Sequence, residues 1–294
     1  MITDIESATP ALCRLQLGSE LRQLRIAAGM KASQVVKQLL WSPSKLTRLE
    51  TGENASVEKP DVMALCEIYG ASAEKRALLI GYAAVTKTRQ DWWQSPEYRP
   101  VISPGFKAFL GLEATASTLQ TYESEFVPGL LQTESYVRVI HQRAHERLGT
   151  GEVDRLVAVR VTRQEVLRRE VAPLKFTAII NEAVIRRRVG SADIMREQLR
   201  HIVDMAESMP HVRVQVVPFG HGAHSGMNGP FVLLQFPDRS VLKPIVYLEN
   251  LADAWIARRD ATVERYAEVF ADLTALAPGP QESLRLIKTV LKEF

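Results

Sequence analysis

The sequence predicts an all-α N-terminal unit followed by an α+β domain built on an antiparallel sheet. Three observations point that way. Leu17, Leu21, Leu24 and Ala28 recur at helical spacing near the start of the chain. Beyond residue 105, short alternating runs such as Leu174, Phe176, Ala178, Ile180 and Val212, Val214, Val216 are interleaved with helical stretches. The length, 294 residues, exceeds what one small helical unit needs, so a second domain is expected.

The first helix ends at Gly29. A second short helix is expected over about Ala32–Leu40, turning Val35, Val36 and Leu39 inward. The third lies in Trp41-Ser42-Pro43-Ser44-Lys45-Leu46-Thr47-Arg48-Leu49-Glu50-Thr51-Gly52. Ser42 suits the N-cap, Pro43 the first turn, and Gly52 a left-handed stop. With Leu46 and Leu49 buried, Ser44, Lys45, Thr47 and Arg48 face outward. Such a face can be plain solvated surface. Helix, turn, helix, turn and outward-facing helix is also the arrangement whose last helix enters the DNA major groove. Charge favours the second reading. Arg14, Arg22, Arg25, Lys31, Lys37, Lys45 and Arg48 are opposed by Glu20 alone between residues 14 and 48, and acids dominate from Leu49 to Ile80. A helix over about 60–80 closes this domain.

These residues resemble an Xre-type helix-turn-helix domain. The resemblance covers about residues 14–80 and is carried by Leu17-Gly18-Ser19-Glu20-Leu21-Arg22-Gln23-Leu24-Arg25, Ala28-Gly29-Met30 and the 41–52 stretch. It implies a lambda-repressor-like fold that binds double-stranded operator DNA. It also implies a structural ion pair between Arg25 and Glu50, which leaves Glu50 out of DNA reading. Where the family often begins the second helix with Thr-Gln, this chain has Lys31-Ala32, and Lys31 supplies a point charge for phosphate instead. The expected DNA-contacting set is Lys31, Ser42, Pro43, Ser44, Lys45, Thr47 and Arg48, with Arg48 the base reader because its fork matches a guanine edge.

Residues 83–104 read as an ordered connector between domains at 1–82 and 105–294. Pro96, Pro100 and Pro104 oppose one continuous helix, and Asp91-Trp92-Trp93 opposes a bare tether. Helices are then expected over about 106–116, 133–147, 152–170, 191–206, 260–276 and 281–292, with strands at 117–122, 174–180, 212–216, 231–236 and 245–249. A Pro237-Asp238-Arg239-Ser240 turn favours antiparallel pairing of the strands it joins.

Five separated phrases in this region resemble the C-terminal domain found behind Xre-type domains in actinobacterial regulators, including the WhiJ-type developmental proteins. They are Val127-Pro128-Gly129-Leu130-Leu131-Gln132-Thr133 with Tyr136, Arg160 with Arg163-Gln164-Glu165-Val166-Leu167, Val216-Val217-Pro218-Phe219, Gly229-Pro230-Phe231 and Val246-Tyr247-Leu248-Glu249. The resemblance implies a transcriptional regulator, antitoxin-like in some members and often encoded beside a small companion protein that binds it. It implies no established ligand.

Composition bounds the function. The chain is 24% charged and 46% hydrophobic with a formal net charge of +3, so affinity for nucleic acid must come from local clustering. Cys13 and Cys66 lack metal spacing and read as reduced core residues. No apolar run approaches the roughly 18 residues a bilayer demands, and Asp4 and Glu6 do not suit a signal peptide, so a cytoplasmic protein is expected. His221 and His224 lie in a Gly-rich loop with no third ligand beside them; no metal and no cofactor is expected, and the loop either connects strands or gates a ligand- or partner-binding site shared with Arg160, Arg163, Gln164, Glu182 and Glu249. Ser225 sits in no Gly-x-Ser-x-Gly elbow, which argues against an enzyme. On the 152–170 helix, Arg160, Arg163 and Gln164 share a face. Glu182 and Glu249 are the expected carboxylate partners, and Val127-Pro128-Gly129 a turn with glycine for backbone shape. That face is a buried ion network, a site for a small anion or a partner's acidic segment, or solvated surface. The expected function is that of a sequence-specific DNA-binding regulator, a repressor, dimerising and sensing a ligand or protein through its C-terminal domain. The alternative is an enzyme fused to a DNA-targeting domain.

Overall fold

The computed structural model describes residues 10–294 apart from 53, 55, 89, 90, 145–148, 171, 238–241 and 251–253. The chain forms two compact units, Met1–Ser95 with Phe236–Lys243, and Pro96–Gln235 with Pro244–Phe294.

In the first unit, α1 (Pro10–Ala27) ends where Gly29 takes φ +67°. Next comes α2 (Ala32–Gln38), whose entry is fixed by the Lys31 N–H donating to Gln34 Oε1 at 2.7 Å. A turn at Leu40, φ +54°, leads to α3 (Pro43–Thr51). Helix α3 has the expected ends: Ser42 Oγ accepts from the Lys45 N–H, Pro43 opens the first turn, and Gly52 closes in the left-handed region. Where one helix was expected over 60–80, there are two, α4 (Lys59–Ile68) and α5 (Ala73–Thr88). The break has a local cause. Gly70 adopts φ +68°, the Ala71 N–H bonds back to the Cys66 carbonyl at 2.9 Å, and Ser72 Oγ accepts the Lys75 N–H. Leu17, Leu21, Leu46, Leu49, Leu65, Leu79 and Tyr82 fill the core, with Cys13 and Cys66 buried among them. Helices α1 and α3 approach at Gly18, where a Cβ would stand 2.4 Å from the Leu49 carbonyl oxygen. Beyond α5, Trp93 is buried, and Asp91 pairs with Arg14 at 2.7 Å, both side chains nearly fully buried.

The second unit opens with α6 (Pro104–Glu113), capped by Ser103, and β1 (Thr118–Glu123). Then follow α7 (Glu134–Ala144) and α8 (Thr150–Arg163). Helix α8 is shorter than the expected 152–170 stretch and tightens into a 3₁₀ turn over Gln164–Leu167. There the Val166 carbonyl accepts the Leu174 N–H, and the Leu167 carbonyl lies 2.8 Å from His211 Nε2. Next come β2 (Lys175–Asn181), α9 (Glu182–Arg186), α10 (Ala192–Ser208) and β3 (Val212–Val217). The remainder is β4 (Phe231–Gln235), β5 (Ile245–Glu249), β6 (Ala254–Ala257), α11 (Asp260–Leu276) and α12 (Pro280–Leu291). The turn expected at residues 237–240 falls, at 238–240, outside the described residues.

The sheet is mixed, in the order β3-β2-β1-β4-β5-β6. Strands β1/β4, β4/β5 and β5/β6 pair antiparallel, as expected, but β1/β2 and β2/β3 are parallel. The physical reason is the connection length. Helices α7 and α8 separate β1 from β2, and α9 and α10 separate β2 from β3, as parallel crossovers require. One sheet face, with Tyr122, Ile179, Phe231 and Val246, packs on Phe270 and Leu273 of α11. By alternation, Glu123 of β1 and Tyr247 and Glu249 of β5 belong to the opposite face. There the Tyr247 ring lies 4.2 Å from that of Phe109 on α6.

Candidate functional site

The outward side of α3 carries the strongest candidate surface. Ser42, Pro43, Ser44, Thr47 and Arg48 are exposed while Leu46 and Leu49 are buried. Local bonds order the small side chains. Ser42 Oγ lies 3.1 Å from Ser44 Oγ, and the Thr47 hydroxyl donates to the Pro43 carbonyl at 3.0 Å. Among the described residues Arg48, Lys31 and Lys37 join no ion pair, so their charges are available to an outside anion. Lys45 differs. Its Nζ donates to Asp61 Oδ1 of α4 at 2.8 Å and rests 3.9 Å from the centroid of the Trp41 ring.

Behind this face, Arg25 holds Glu50 with two bonds, Nε–Oε1 at 2.6 Å and Nη2–Oε2 at 2.8 Å, and donates through Nη1 to the Met30 carbonyl. The bond to Glu50 raises the guanidinium pKa despite desolvation. Glu50 thus ties α3 to α1, with its carboxylate turned away from the outer face.

In the second unit the polar face of α8 meets partners other than those expected. Arg163 is buried and pairs with Glu113 of α6, Nε–Oε2 at 2.5 Å and Nη2–Oε1 at 2.6 Å. Gln164 is buried too, its Nε2 donating to the Gln132 carbonyl at 2.6 Å. Glu182 partners neither arginine. Its Oε1 holds Arg186 at 2.5 Å and its Oε2 accepts the Phe219 N–H at 2.8 Å, because it opens α9, one turn before Arg186. Glu249 is exposed at the end of β5 and acts on Arg160 and Arg163 by longer-range attraction.

Arg160 has no direct carboxylate among the described residues and lies over the Phe106 ring at 5.2 Å. Burial and the neighbouring Arg163 charge lower its pKa, while Glu249 and Glu123 oppose the shift. Burial pushes the Glu123 carboxyl up to about 8, against the pull of Arg160 and Arg163. The Tyr247 hydroxyl is buried beside this group. Gly129 serves space rather than backbone shape: a Cβ there would stand 2.6 Å from Arg163 Nη1 and 2.9 Å from Arg160 Nη1.

The two histidines stand apart from this cluster. His221 is exposed, and the His224 ring meets Tyr122 edge-on, with Nε2 3.4 Å from Asn181 Nδ2. Among the described residues no group of three His, Cys, Asp or Glu side chains is placed to hold one metal ion.

Sequence reasoning found Arg160 and Arg163 but missed Glu113, Glu123, Phe106 and Tyr247. Helical spacing shows which residues share one helix face, and carries no signal for what a distant helix or strand sets against it.

A family model described as a domain of unknown function, DUF5753, matches residues 106–289. A second, described as a helix-turn-helix domain, matches residues 16–79. No curated protein and no solved structure matches the chain. No described helix is long and apolar enough to cross a membrane.

Proposed function

This chain belongs to the DUF5753 family, and from that premise we propose that it is a sequence-specific DNA-binding transcriptional regulator of Xre type, acting as a repressor. The observation that carries the reading is the outer face of α3, where short polar side chains surround an exposed Arg48 free of protein ion pairs. Ser42, Ser44, Thr47 and Arg48 contact the operator, and Lys31 binds phosphate from the start of α2. The C-terminal domain regulates rather than catalyses. It binds a small companion protein or an anionic ligand and holds two copies of the chain together. Arg160 supports this role, as a cation on the α8 face with no direct carboxylate among the described residues.

The test compares Arg48→Ala with Lys31→Ala on a selected operator and on random duplex. Arg48→Ala should cost about 1–3 kcal/mol on the operator and relax preference at one base position. Lys31→Ala should weaken both duplexes alike, because phosphates carry no sequence information. Equal loss on the two duplexes for Arg48→Ala would remove the base-reading role.

A further inference from the structure

We propose that Asp61 is a positioning residue for DNA contact, holding Lys45 off the phosphate backbone and so limiting sequence-independent binding. The inference rests on reading α3 as the DNA-contacting helix. Lys45 is the third helical residue of α3, in the N-terminal part of the helix, which in this arrangement lies nearest the bases. Its Nζ is held by Asp61 Oδ1 at 2.8 Å and by the Trp41 ring at 3.9 Å. The pair is a surface device, not a core one, since the Lys45 and Asp61 side chains keep 35% and 20% of their exposure.

Asp61 lies in the first turn of α4, the end of a helix where acidic side chains are favourably placed. The acids that pair with the other cations of the basic stretch sit further in. Asp91 is buried with Arg14, and Glu50 is largely covered with Arg25. Asp61 instead engages a residue on the outward side of α3, beside the unpaired Arg48.

The consequence follows from polyelectrolyte physics. Each lysine that neutralises a phosphate releases a condensed counterion and strengthens binding to every sequence alike. A lysine spent on an internal carboxylate contributes no such release. The carboxylate itself repels phosphate, so Asp61 acts twice in the same direction.

The experiment measures binding of the full-length protein against salt concentration. One probe is a duplex selected from a random pool by the protein itself, and the other is a random-sequence duplex of equal length. Asp61→Asn should raise affinity for the random duplex roughly two- to fivefold. It should steepen the log–log salt slope by about 0.9, the signature of one added phosphate contact. Asp61→Glu should restore the original slope. Lys45→Met should leave the wild-type slope unchanged but abolish the slope change made by Asp61→Asn, leaving only the smaller affinity gain from the lost carboxylate repulsion. Two results overturn the proposal: an unchanged slope in Asp61→Asn, or a slope change that survives Lys45→Met. Arg48→Ala separates the levels. If it weakens operator binding while Asp61→Asn changes nothing, only the Asp61 role falls. If Arg48→Ala leaves operator binding intact, the reading of α3 falls and takes the Asp61 role with it.

Discussion

The two arginines of α8 sit three residues apart, yet their surroundings differ. Arg163 is locked to Glu113 by two short bonds in a buried site, whereas Arg160 lies over Phe106 with Glu123 and Glu249 at longer range. Arg163→Ala strands the Glu113 carboxylate in the interior and should cost about 3–5 kcal/mol in denaturant unfolding. Arg160→Ala should stay folded and lose the response of DNA binding to the effector; a normal response would place the sensing site elsewhere. Glu123 makes a pH-dependent prediction. Its carboxyl titrates near 8 in the folded protein, above the ordinary carboxylate value of about 4.3. Between those values the unfolded chain has lost a proton that the folded chain keeps, so this group lowers stability as pH rises through the window. Above about 8 its effect levels off. Glu123→Gln should flatten the stability profile between pH 4.5 and 8, measured by urea unfolding. A profile identical to wild type would show that the carboxyl is already ionised.

Among elements, the packing of α1 on α3 has the least tolerance. Gly18 lets the α1 backbone lie against the Leu49 and Glu50 carbonyls, and both are backbone atoms that cannot rotate away. Gly18→Ala should therefore destabilise the first unit by about 1–3 kcal/mol, the usual range for overpacking. Because the same contact sets the pose of α3, operator affinity should fall in parallel with melting temperature. Unchanged melting would mean that α1 can shift without cost. The local signals around α3 were legible in advance: a Ser cap, a Pro in the first turn and a Gly stop all act within a few residues. The α4/α5 break was equally local but was missed, because Gly70 followed by Ser72 interrupts an apolar pattern that continues on both sides.

For the whole molecule, the proposed dimer follows from the small footprint of one helix-turn-helix domain, which gains useful affinity from two half-sites about one helical turn apart. Light scattering should give twice the 32.9 kDa chain mass at micromolar concentration, with two chains per operator duplex. A monomer with one chain per duplex would refute this. The proposed dimer surface lies on the C-terminal domain; in the connector, Trp93 is buried and Trp92 meets it edge-on at 5.5 Å. An effector that weakens DNA binding must itself bind less tightly to the DNA-bound form, because the coupling is reciprocal.

The sequence by itself determined the helix ends of α3, the outward set around Arg48, the alternating strands of the second unit and the face shared by Arg160 and Arg163. Each depends on neighbours within one or two turns, so periodicity and capping chemistry express them directly. Tertiary structure alone decided three other matters. Strand order and direction came from where the crossover helices returned the chain, so that β1, β2 and β3 run parallel where antiparallel pairing was expected. Arg163 met Glu113 rather than Glu182 or Glu249, fifty residues back along the chain. Lys45, read as a free outward cation, was claimed by Asp61 of the next helix. A charge is legible in one dimension; its partner is set by which backbone the fold brings within a few ångströms, and sequence spacing does not encode that distance.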